Sequence, residues 1–217
     1  MPRPKSTDTE ATRQAIATVA ENLFRTVGYH KTTLADIASR LGMSPPNIYR
    51  FFRSKQEING AICDGLIADF EASWKASISP KATATANLVA FFLACNRHSR
   101  AHFLSNQGVY DMVDAAMDQN WPVMLKHIER MTVFVAGIIQ RGVQQGEFQA
   151  CDARNVAELF LLASNPFIDP RRVFRTLQDC AAQGVEEHME SDLRAIVILL
   201  ARGLSPQLPP LAWQRGA

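Results

Sequence analysis

The segment GMSPPNIYRFFRSKQEI, residues 42–58, sets aromatic side chains among basic ones. Its aromatic residues are Tyr49, Phe51 and Phe52, and its basic residues are Arg50, Arg53 and Lys55. No acidic residue occurs between Ile37 and Gln56. Guanidinium and ammonium groups bind phosphates, and phenol and amide side chains add hydrogen bonds to phosphates or base edges. The chemistry that this pattern favours is noncovalent recognition of a polyanion.

A second chemically capable group consists of Cys95, His98 and His102, spaced i, i+3 and i+7. On a helix these side chains share one face and are acceptable ligands for zinc or copper. A single helix supplies at most three ligands, and Arg97 and Arg100 beside them would repel a metal cation. Surface histidines next to a buried thiol are therefore expected. A metal- or redox-responsive site is the alternative.

The sequence contains no nucleophile elbow, phosphate loop, zincin motif or paired-carboxylate arrangement, so neither catalysis nor a cofactor is predicted. Its four cysteines lack close-paired spacing, which is typical of reduced thiols. The first residues, MPRPKSTDTE, contain no apolar export segment. The longest apolar run, AIVILLA at 195–201, is too short to span a bilayer. We expect a cytoplasmic protein that does not enter membranes.

The charge is divided unevenly along the 217 residues. Residues 1–60 contain nine Lys and Arg against five Asp and Glu, whereas residues 61–217 contain 14 against 16. Apolar residues make up 47% of the chain, enough for a packed core. A small basic region followed by a larger, nearly neutral region predicts a polyanion-binding head on a body with another role.

Helix signals divide the first 52 residues into three helices. Apolar residues at helical spacing run from Thr9 to Val27, and Gly28 suits a left-handed C-cap. Thr33 and Asp36 match a capping box that opens a second helix, which ends at Gly42.

The third helix is predicted to begin at Pro45, with Ser44 as its N-cap. Two short helices joined by a tight glycine turn form the helix-turn-helix pattern, whose second helix enters the DNA major groove. Ile48 and Phe52, four residues apart, should pack inward. A further capping pattern at Ser54 opens a long helix that ends before Pro80.

The outward side chains of this pattern form the predicted DNA-binding surface. Tyr49 and Lys55 are assigned to phosphates, and Asn47 and the two prolines to the vicinity of the bases. The full predicted set is Thr32, Thr33, Ser44, Pro45, Pro46, Asn47, Tyr49, Arg50 and Lys55.

The rest of the chain is also predicted to be helical, which gives an all-α fold. The expected helices lie near 82–104, 109–119, 122–145, 153–164, 171–182 and 186–203, with a turn at SNPFIDP. We predict a helix-turn-helix DNA-binding domain over 1–56, a larger helical ligand-binding and dimerisation domain over 57–204, and a loose C-terminal tail over 205–217.

The body supplies many aromatic residues and methionines. Most are expected in the core, and a subset is predicted to line a cavity for a largely apolar small-molecule effector. The predicted lining residues are Trp74, Phe92, Phe103, Trp121, Met124, His127, Phe134 and Asn165.

The stretch TTLADIASRLGMSPPNIYRFFRSKQEI resembles the DNA-binding head of the TetR family of bacterial one-component regulators. That family shares the pattern T-x-x-x-I-A-x-x-x-G-x-S-x-x-x-x-Y-x-x-F-x-x-K. The matching positions are Thr33, Ile37, Ala38, Gly42, Ser44, Tyr49, Phe52 and Lys55. Ala35 stands where many members carry an arginine, so the operator preference of relatives does not carry over.

The resemblance implies a homodimer with a four-helix interface near the C-terminus and a ligand cavity in the larger domain. It also implies a repressor that binds a palindromic double-stranded DNA operator and is released by ligand. The last predicted helix, DLRAIVILLARGL, is apolar nearly all round, as expected if it packs against its own subunit and another. A helical ligand-binding scaffold that does not bind DNA is the alternative.

Overall fold

The computed structural model of the protein describes residues 6–103, 107–118, 122–179 and 185–209. All regular secondary structure in these ranges is helical, so the predicted all-α class is confirmed. The helices are α1 (Ser6–Val27), α2 (Leu34–Arg40), α3 (Pro45–Ile48), α4 (Lys55–Ser77), α5 (Ala84–Phe103), α6 (Gln107–Asp118), α7 (Pro122–Gln144), α8 (Ala153–Ile168), α9 (Pro170–Asp179) and α10 (Val185–Gly203).

Local capping sets the ends of α1 and α2. Gly28 ends α1 with a φ of 102°, and Gly42 follows α2 with a φ of 64°. Both values lie in the left-handed region, where a Cβ atom is unfavourable. The predicted capping box is confirmed: the hydroxyl of Thr33 accepts from Asp36 N, and the Asp36 carboxylate accepts from Thr33 N at 2.8 Å. These bonds satisfy backbone amides that the helix itself leaves free.

The start of α4 is also capped, in a modified form. The Ser54 hydroxyl accepts a hydrogen bond from Glu57 N at 3.1 Å, as its capping role requires. The Glu57 carboxylate accepts from Arg53 N at 2.7 Å, one residue before the position that a capping box uses.

One compact unit contains residues 1–69 and 102–125. Its core is formed by apolar side chains of α1 to α4, of α6 and of the turn after α3. Among them are Ile16, Phe24, Ile37, Ile48, Phe52, Ile58 and Met112. Helix α1 packs against α2 and α6. Asn59 of α4 donates a buried hydrogen bond to Met112 O of α6 at 3.0 Å, so its amide is satisfied inside this core.

The second compact unit contains residues 70–101 and 126–217. Its core includes Trp74, Leu88, Phe91, Phe92, Val135, Phe160 and Leu193, and α8 packs against α9 and α10. This division places α6 in the same unit as the N-terminal helices. The predicted boundaries at residues 56 and 204 follow instead from capping and helix-breaking residues in the sequence. Those functional boundaries stay a prediction.

Helix α8 corrects the predicted turn at SNPFIDP, because it continues through Pro166 to Ile168. Two polar side chains of α5 support its last turn. Asn96 donates to Phe167 O at 2.7 Å, and Ser99 donates to Ile168 O at 2.9 Å. These bonds satisfy carbonyls that a helix end leaves without partners, and they stabilise the extra turn.

Candidate functional site

Helix α3 presents one buried and one exposed face, as expected. Ile48 and Phe52 are buried in the core of the first unit. Tyr49 is 55% exposed, and the adjoining side chains of Ser44, Pro45, Pro46 and Arg50 are exposed as well. The predicted outward row is thus available to a ligand as large as duplex DNA.

Ser44 differs from the expectation in its detail. It occupies the N-cap position of α3 with extended backbone angles, but its side chain makes no capping hydrogen bond. Asn47 N instead donates to the backbone oxygen of Ser44 at 2.9 Å. Pro45 and Pro46 carry no N–H group, which reduces the number of amides that a cap must satisfy. The Ser44 hydroxyl therefore lies exposed at the N-terminus of α3.

Thr32 and Thr33 occupy different environments. Thr32 is 2% exposed, and its hydroxyl donates to Gly28 O at 2.9 Å. The Thr32 side chain is thus directed into the protein, and the assignment of this residue to the DNA-binding surface stays a prediction. Thr33 is exposed and caps α2, so its backbone amide and hydroxyl are both directed to Asp36.

Lys55 has internal partners that the sequence did not reveal. Its Nζ donates to Tyr29 O at 2.8 Å and to Thr32 O at 3.0 Å, with a longer contact to His30 O at 3.5 Å. The ammonium also lies 4.4 Å from the centre of the Tyr29 ring. Partial burial lowers the pKa of Lys55 below its ordinary value. These contacts hold the turn before α2 against the start of α4 and give Lys55 a positioning role. Its assignment to a DNA phosphate stays a prediction.

Arg13 of α1 is a site residue that sequence reasoning missed. Its guanidinium donates to Phe51 O and lies 4.0 Å from the centre of the Phe52 ring. It also forms a 3.9 Å ion pair with Glu57. These contacts span 38 to 44 residues of sequence, and no local spacing rule connects an arginine on α1 with the turn after α3.

The electrostatics of this surface favour anions. The cations Arg40, Arg50 and Arg53 are exposed. Asp36 and Glu57, the acids that border the acid-free stretch, both accept hydrogen bonds from backbone amides. Hydrogen bonds from Thr33 hold the pKa of Asp36 below its ordinary value, so its negative charge persists at the start of α2. The uncompensated charge of the surface is positive.

The predicted ligand residues are only partly brought together. Trp74 of α4 stacks on His127 of α7 at 5.5 Å and on Phe134 at 5.7 Å, between ring centres. Phe92 lies in the same core. Burial lowers the pKa of His127. The carboxylate of Glu71, whose Oε1 lies 3.4 Å from His127 Nδ1, partly offsets this by raising the pKa.

Two of the other predicted ligand residues have described side chains. Met124 packs with Cys63 and Ile67 in the core of the first unit. Asn165 is half-buried near the end of α8. Trp121 and the side chain of Phe103 lie outside the described residues.

The structure does not favour the metal alternative. Cys95 is fully buried, and burial raises the pKa of its thiol well above the ordinary value. The His98 ring stacks on Phe70 with 4.4 Å between ring centres, and the side chain of His102 lies outside the described residues. Within the described ranges, no group of three His, Cys, Asp or Glu side chains is arranged to hold a metal ion.

Two family models match the chain. Residues 16–62 match the model described as bacterial regulatory proteins, tetR family, and residues 84–197 match the tetracyclin repressor-like, C-terminal domain. No curated protein matches the sequence. Across the helices that the structure describes, none is long and apolar enough to cross a membrane.

Solved structures of transcriptional regulators share the fold. One from Cytophaga hutchinsonii is 21% identical, with 89% of this chain and 98% of the other covered and a TM-score of 0.63. A TetR/AcrR-family regulator from Thermobifida fusca is 24% identical over 89% and 98%, with a TM-score of 0.62. A TetR-family regulator from Pectobacterium atrosepticum is 16% identical over 94% and 99%, with a TM-score of 0.66.

Proposed function

The chain belongs to the TetR family of bacterial transcriptional regulators, and we propose on that premise that it is a homodimeric repressor. In this proposal it binds a palindromic operator through the helix-turn-helix of α2 and α3. A small-molecule ligand bound by the second unit releases the operator. A role on DNA assigns the protein to the cytoplasm.

The observation that carries this proposal is the exposed row at the N-terminal end of α3. A recognition helix reads base edges with its first residues, and Ser44, Pro45 and Pro46 are exposed while Ile48 behind them is buried. Asn47 is half-buried beside them, and its Oδ1 accepts a long hydrogen bond from the Arg50 guanidinium at 3.5 Å. Its amide suits an adenine edge or a phosphate. The Tyr49 hydroxyl suits a phosphate.

Positioning residues complete the proposed interface. Lys55 ties the turn before α2 to the start of α4, and Arg13 ties α1 to the end of the recognition segment. Since base readout depends on sub-ångström placement of side chains, rigid support of α3 is part of the proposed DNA-binding function. Arg50 adds an exposed cation to the proposed interface. Thr33, the N-cap of α2, adds an exposed polar residue.

Dimerisation is supported by two exposed leucines on neighbouring helices. Leu162 of α8 is 68% exposed and Leu199 of α10 is 65% exposed, and α8 packs against α10. A pair of helices with apolar outer side chains suits a two-fold interface, in which the same surface is used by both subunits. Two subunits would present their recognition helices about 34 Å apart, one turn of DNA.

Release requires coupling between the ligand and the DNA surface, and α4 is the proposed link. Its 23 residues correspond to roughly 35 Å of helix, beginning at Lys55 and ending at Ser77. A ligand that prefers the DNA-incompetent conformation lowers operator affinity, and operator must lower ligand affinity by the same factor. This reciprocity is measurable once a ligand is in hand.

The test is fluorescence anisotropy with duplexes tiled across the intergenic DNA on both sides of the gene, since such regulators often control themselves or a neighbour. We expect one duplex to bind far more tightly than scrambled DNA, with affinity falling steeply as salt rises. A folded dimer that binds no flanking duplex above scrambled controls would instead favour the helical-scaffold alternative.

A further inference from the structure

The outer side of α10 carries a stripe of four exposed residues. They follow one another at spacings of three, four and three: Asp192, Ala195, Leu199 and Arg202. All four are exposed, and Leu199 is 65% exposed. Spacings that alternate between three and four keep residues on one side of a helix and are typical of helices that pair along a seam. This outer stripe is therefore placed to contact a second helix.

The opposite side of α10 packs inside the chain. Its buried side chains belong to the core of the second unit, and they are Leu193, Val197, Ala201 and Leu204. Since successive residues of a helix are separated by about 100°, the outer stripe lies on the far side of α10 from these residues. The core of the chain itself therefore does not cover the outer stripe.

The two charged ends of the outer stripe are free to bind a partner. Within the described residues, the side chains of Asp192 and Arg202 form no hydrogen bond or ion pair. They are ten residues apart, which corresponds to roughly 15 Å along the helix and is too far for a bond between them. The stripe thus presents a negative charge at one end and a positive charge at the other.

The outer stripe is complementary to itself about position 197. Asp192 and Arg202 are each five residues from that position, and Ala195 and Leu199 are each two residues from it. When two copies of a helix meet antiparallel across a two-fold axis, each residue faces the one equally far on the other side of the centre. Arg202 then faces the partner subunit's Asp192, and Leu199 faces the partner subunit's Ala195. Unlike charges meet at both ends, and a large side chain meets a small one between them.

A parallel arrangement of the two helices fits the same residues poorly. It would place the two Asp192 carboxylates side by side and the two Arg202 guanidiniums side by side, and like charges repel at short range. It would also set leucine against leucine and alanine against alanine, which packs less evenly. In the antiparallel arrangement, positions 186–188 have their counterparts at 206–208, beyond Gly203 where α10 ends. Those positions therefore lie outside the paired stretch.

We propose that α10 pairs antiparallel with α10 of a second copy of this chain, through two Asp192–Arg202 ion pairs that flank two Ala195–Leu199 contacts. The inference rests on the proposed homodimer, and it specifies the orientation and register of the α10 helices in it. The symmetry of the stripe selects this occupant, because a pattern that is complementary to itself fits a second copy of the same helix.

Charge reversal tests the ion pairs. Asp192→Arg and Arg202→Asp each replace two unlike pairs by two like-charged ones, and each should raise the dissociation constant of the dimer by about tenfold or more in sedimentation. The double variant Asp192→Arg/Arg202→Asp restores two unlike pairs and should return to within about threefold of wild type. Arg172→Asp is the control, because Arg172 is exposed on α9 and its reversal changes the same charge outside the stripe. Circular dichroism checks that every variant keeps its helix content.

A mixture of the two single variants shows that the charges pair between chains. Each chain then supplies the charge that the other lacks, so the mixture should form a heterodimer more tightly than either variant forms a homodimer. Wild-type dissociation constants for both single variants would overturn the proposal. A double variant weaker than either single variant, or a mixture without recovery, would overturn it as well.

An exchange of sizes tests the middle of the stripe without changing charge. Ala195→Leu sets leucine against leucine and Leu199→Ala sets alanine against alanine, so each should weaken the dimer. The combined variant Ala195→Leu/Leu199→Ala again sets a large side chain against a small one and should recover part of the affinity. This measurement decides the register even if a charge reversal prevents folding. Losses that simply add in the combined variant would overturn the proposed register.

Failure of this inference is distinguishable from failure of the proposed function. A wild-type chain that sediments as a monomer at every concentration contradicts the proposed homodimer, and the α10 pairing with it. A stable dimer that tolerates the charge reversals and the size exchange contradicts the pairing alone. Operator binding is measured separately and affects neither result.

Discussion

Arg13 is a single residue on which the geometry of the recognition segment depends. Its guanidinium joins α1 to Phe51 O, to the Phe52 ring and to Glu57. We expect Arg13→Ala to lower the free energy of unfolding by about 1–2 kcal/mol and to weaken operator binding, because the turn after α3 loses its anchor. Chemical denaturation and anisotropy measure the two effects.

The control is Arg25→Ala on the same helix. Among the described residues, Arg25 forms its ion pair with Glu21, one turn away on the same helix, at 2.6 Å. Surface pairs of this kind contribute about 0.5 kcal/mol or less, so this variant should be nearly neutral. If the two variants behave alike, the long-range contacts of Arg13 do not support the recognition segment.

Lys55 makes the second prediction at the residue scale, since its ammonium contacts three carbonyls of the turn that precedes α2. Lys55→Met retains the apolar stem and removes the charge. We expect it to destabilise the protein by about 1–2 kcal/mol and to weaken DNA binding without changing the salt dependence.

Arg50→Met is the comparison for Lys55→Met, because the Arg50 side chain is exposed. It should leave stability unchanged and reduce the slope of log affinity against log salt by about one, the signature of a lost phosphate contact. If Lys55→Met instead changes the salt slope and leaves stability unchanged, Lys55 contacts a DNA phosphate.

These residues also mark how far the sequence can predict the site. The outward placement of Tyr49 and the Thr33 cap followed from spacing within one turn of helix. The contacts of Lys55 span 23 to 26 residues, and those of Arg13 span more. Partners at such separations are set by how helices pack, and neither charge nor periodicity encodes them.

At the scale of an element, α3 is expected to separate base reading from phosphate binding. Asn47→Ala should change the preference at particular base pairs by about 1–3 kcal/mol, because a bidentate amide contact is specific to one base. Tyr49→Phe should weaken all duplexes alike, since a phosphate carries no sequence information. Competition against a library of single-base operator variants measures both. If Asn47→Ala weakens binding to all operator variants equally, the Asn47 amide contacts the DNA sugar-phosphate backbone and not a base.

The contact between α1 and α6 gives a second element-scale prediction. A Cβ atom on Gly108 would overlap Phe24 O and lie 2.6 Å from the Cα atom of Arg25, and both atoms belong to a helix backbone that cannot yield easily. Gly108→Ala should therefore destabilise the protein by roughly 1–3 kcal/mol. Thermal unfolding is the measurement.

Gly137 on α7 provides the matched control for Gly108. Apart from the adjoining residues and the backbone of its own helix, no described atom lies within 4 Å of the Cβ position that an alanine there would occupy. Because alanine is the better helix former, Gly137→Ala should be neutral or stabilise the protein by up to about 1 kcal/mol. A stabilising Gly108→Ala would mean that α1 and α6 are not in close contact.

Most elements could be predicted from sequence because their ends are marked locally by Gly, Pro and capping residues. Helix α8 is the instructive exception. Its proline suggested a turn, but Asn96 and Ser99 of α5 satisfy the carbonyls of Phe167 and Ile168 and extend the helix. The polar groups that stabilise this extra turn lie about 70 residues away in the chain, beyond any window that reads periodicity.

At the scale of the whole molecule, the uneven division of charge suits a protein with two separate surfaces. One surface would bind DNA, and the other would bind a second copy of the same chain. The basic residues that outnumber acids lie in the first 60 positions. The exposed leucines lie on α8 and α10, in the near-neutral remainder. Since a palindrome has two equal half-sites, occupation of both requires two heads held at a fixed spacing.

The dimer prediction follows from this requirement. Leu162→Glu and Leu199→Glu each place a charge on the outer side of α8 or α10, where both side chains are now largely exposed. In a monomer such a change is nearly neutral, but in a two-fold interface it buries two like charges near each other and should dissociate the dimer. Val133→Glu on α7, at 56% exposure, is the control and should leave sedimentation unchanged.

The dissociated variants should keep their helix content and bind a single half-site weakly. They should also lose the preference for an intact palindrome over one with altered half-site spacing. Variants that sediment as wild type and retain that preference would move the interface away from α8 and α10.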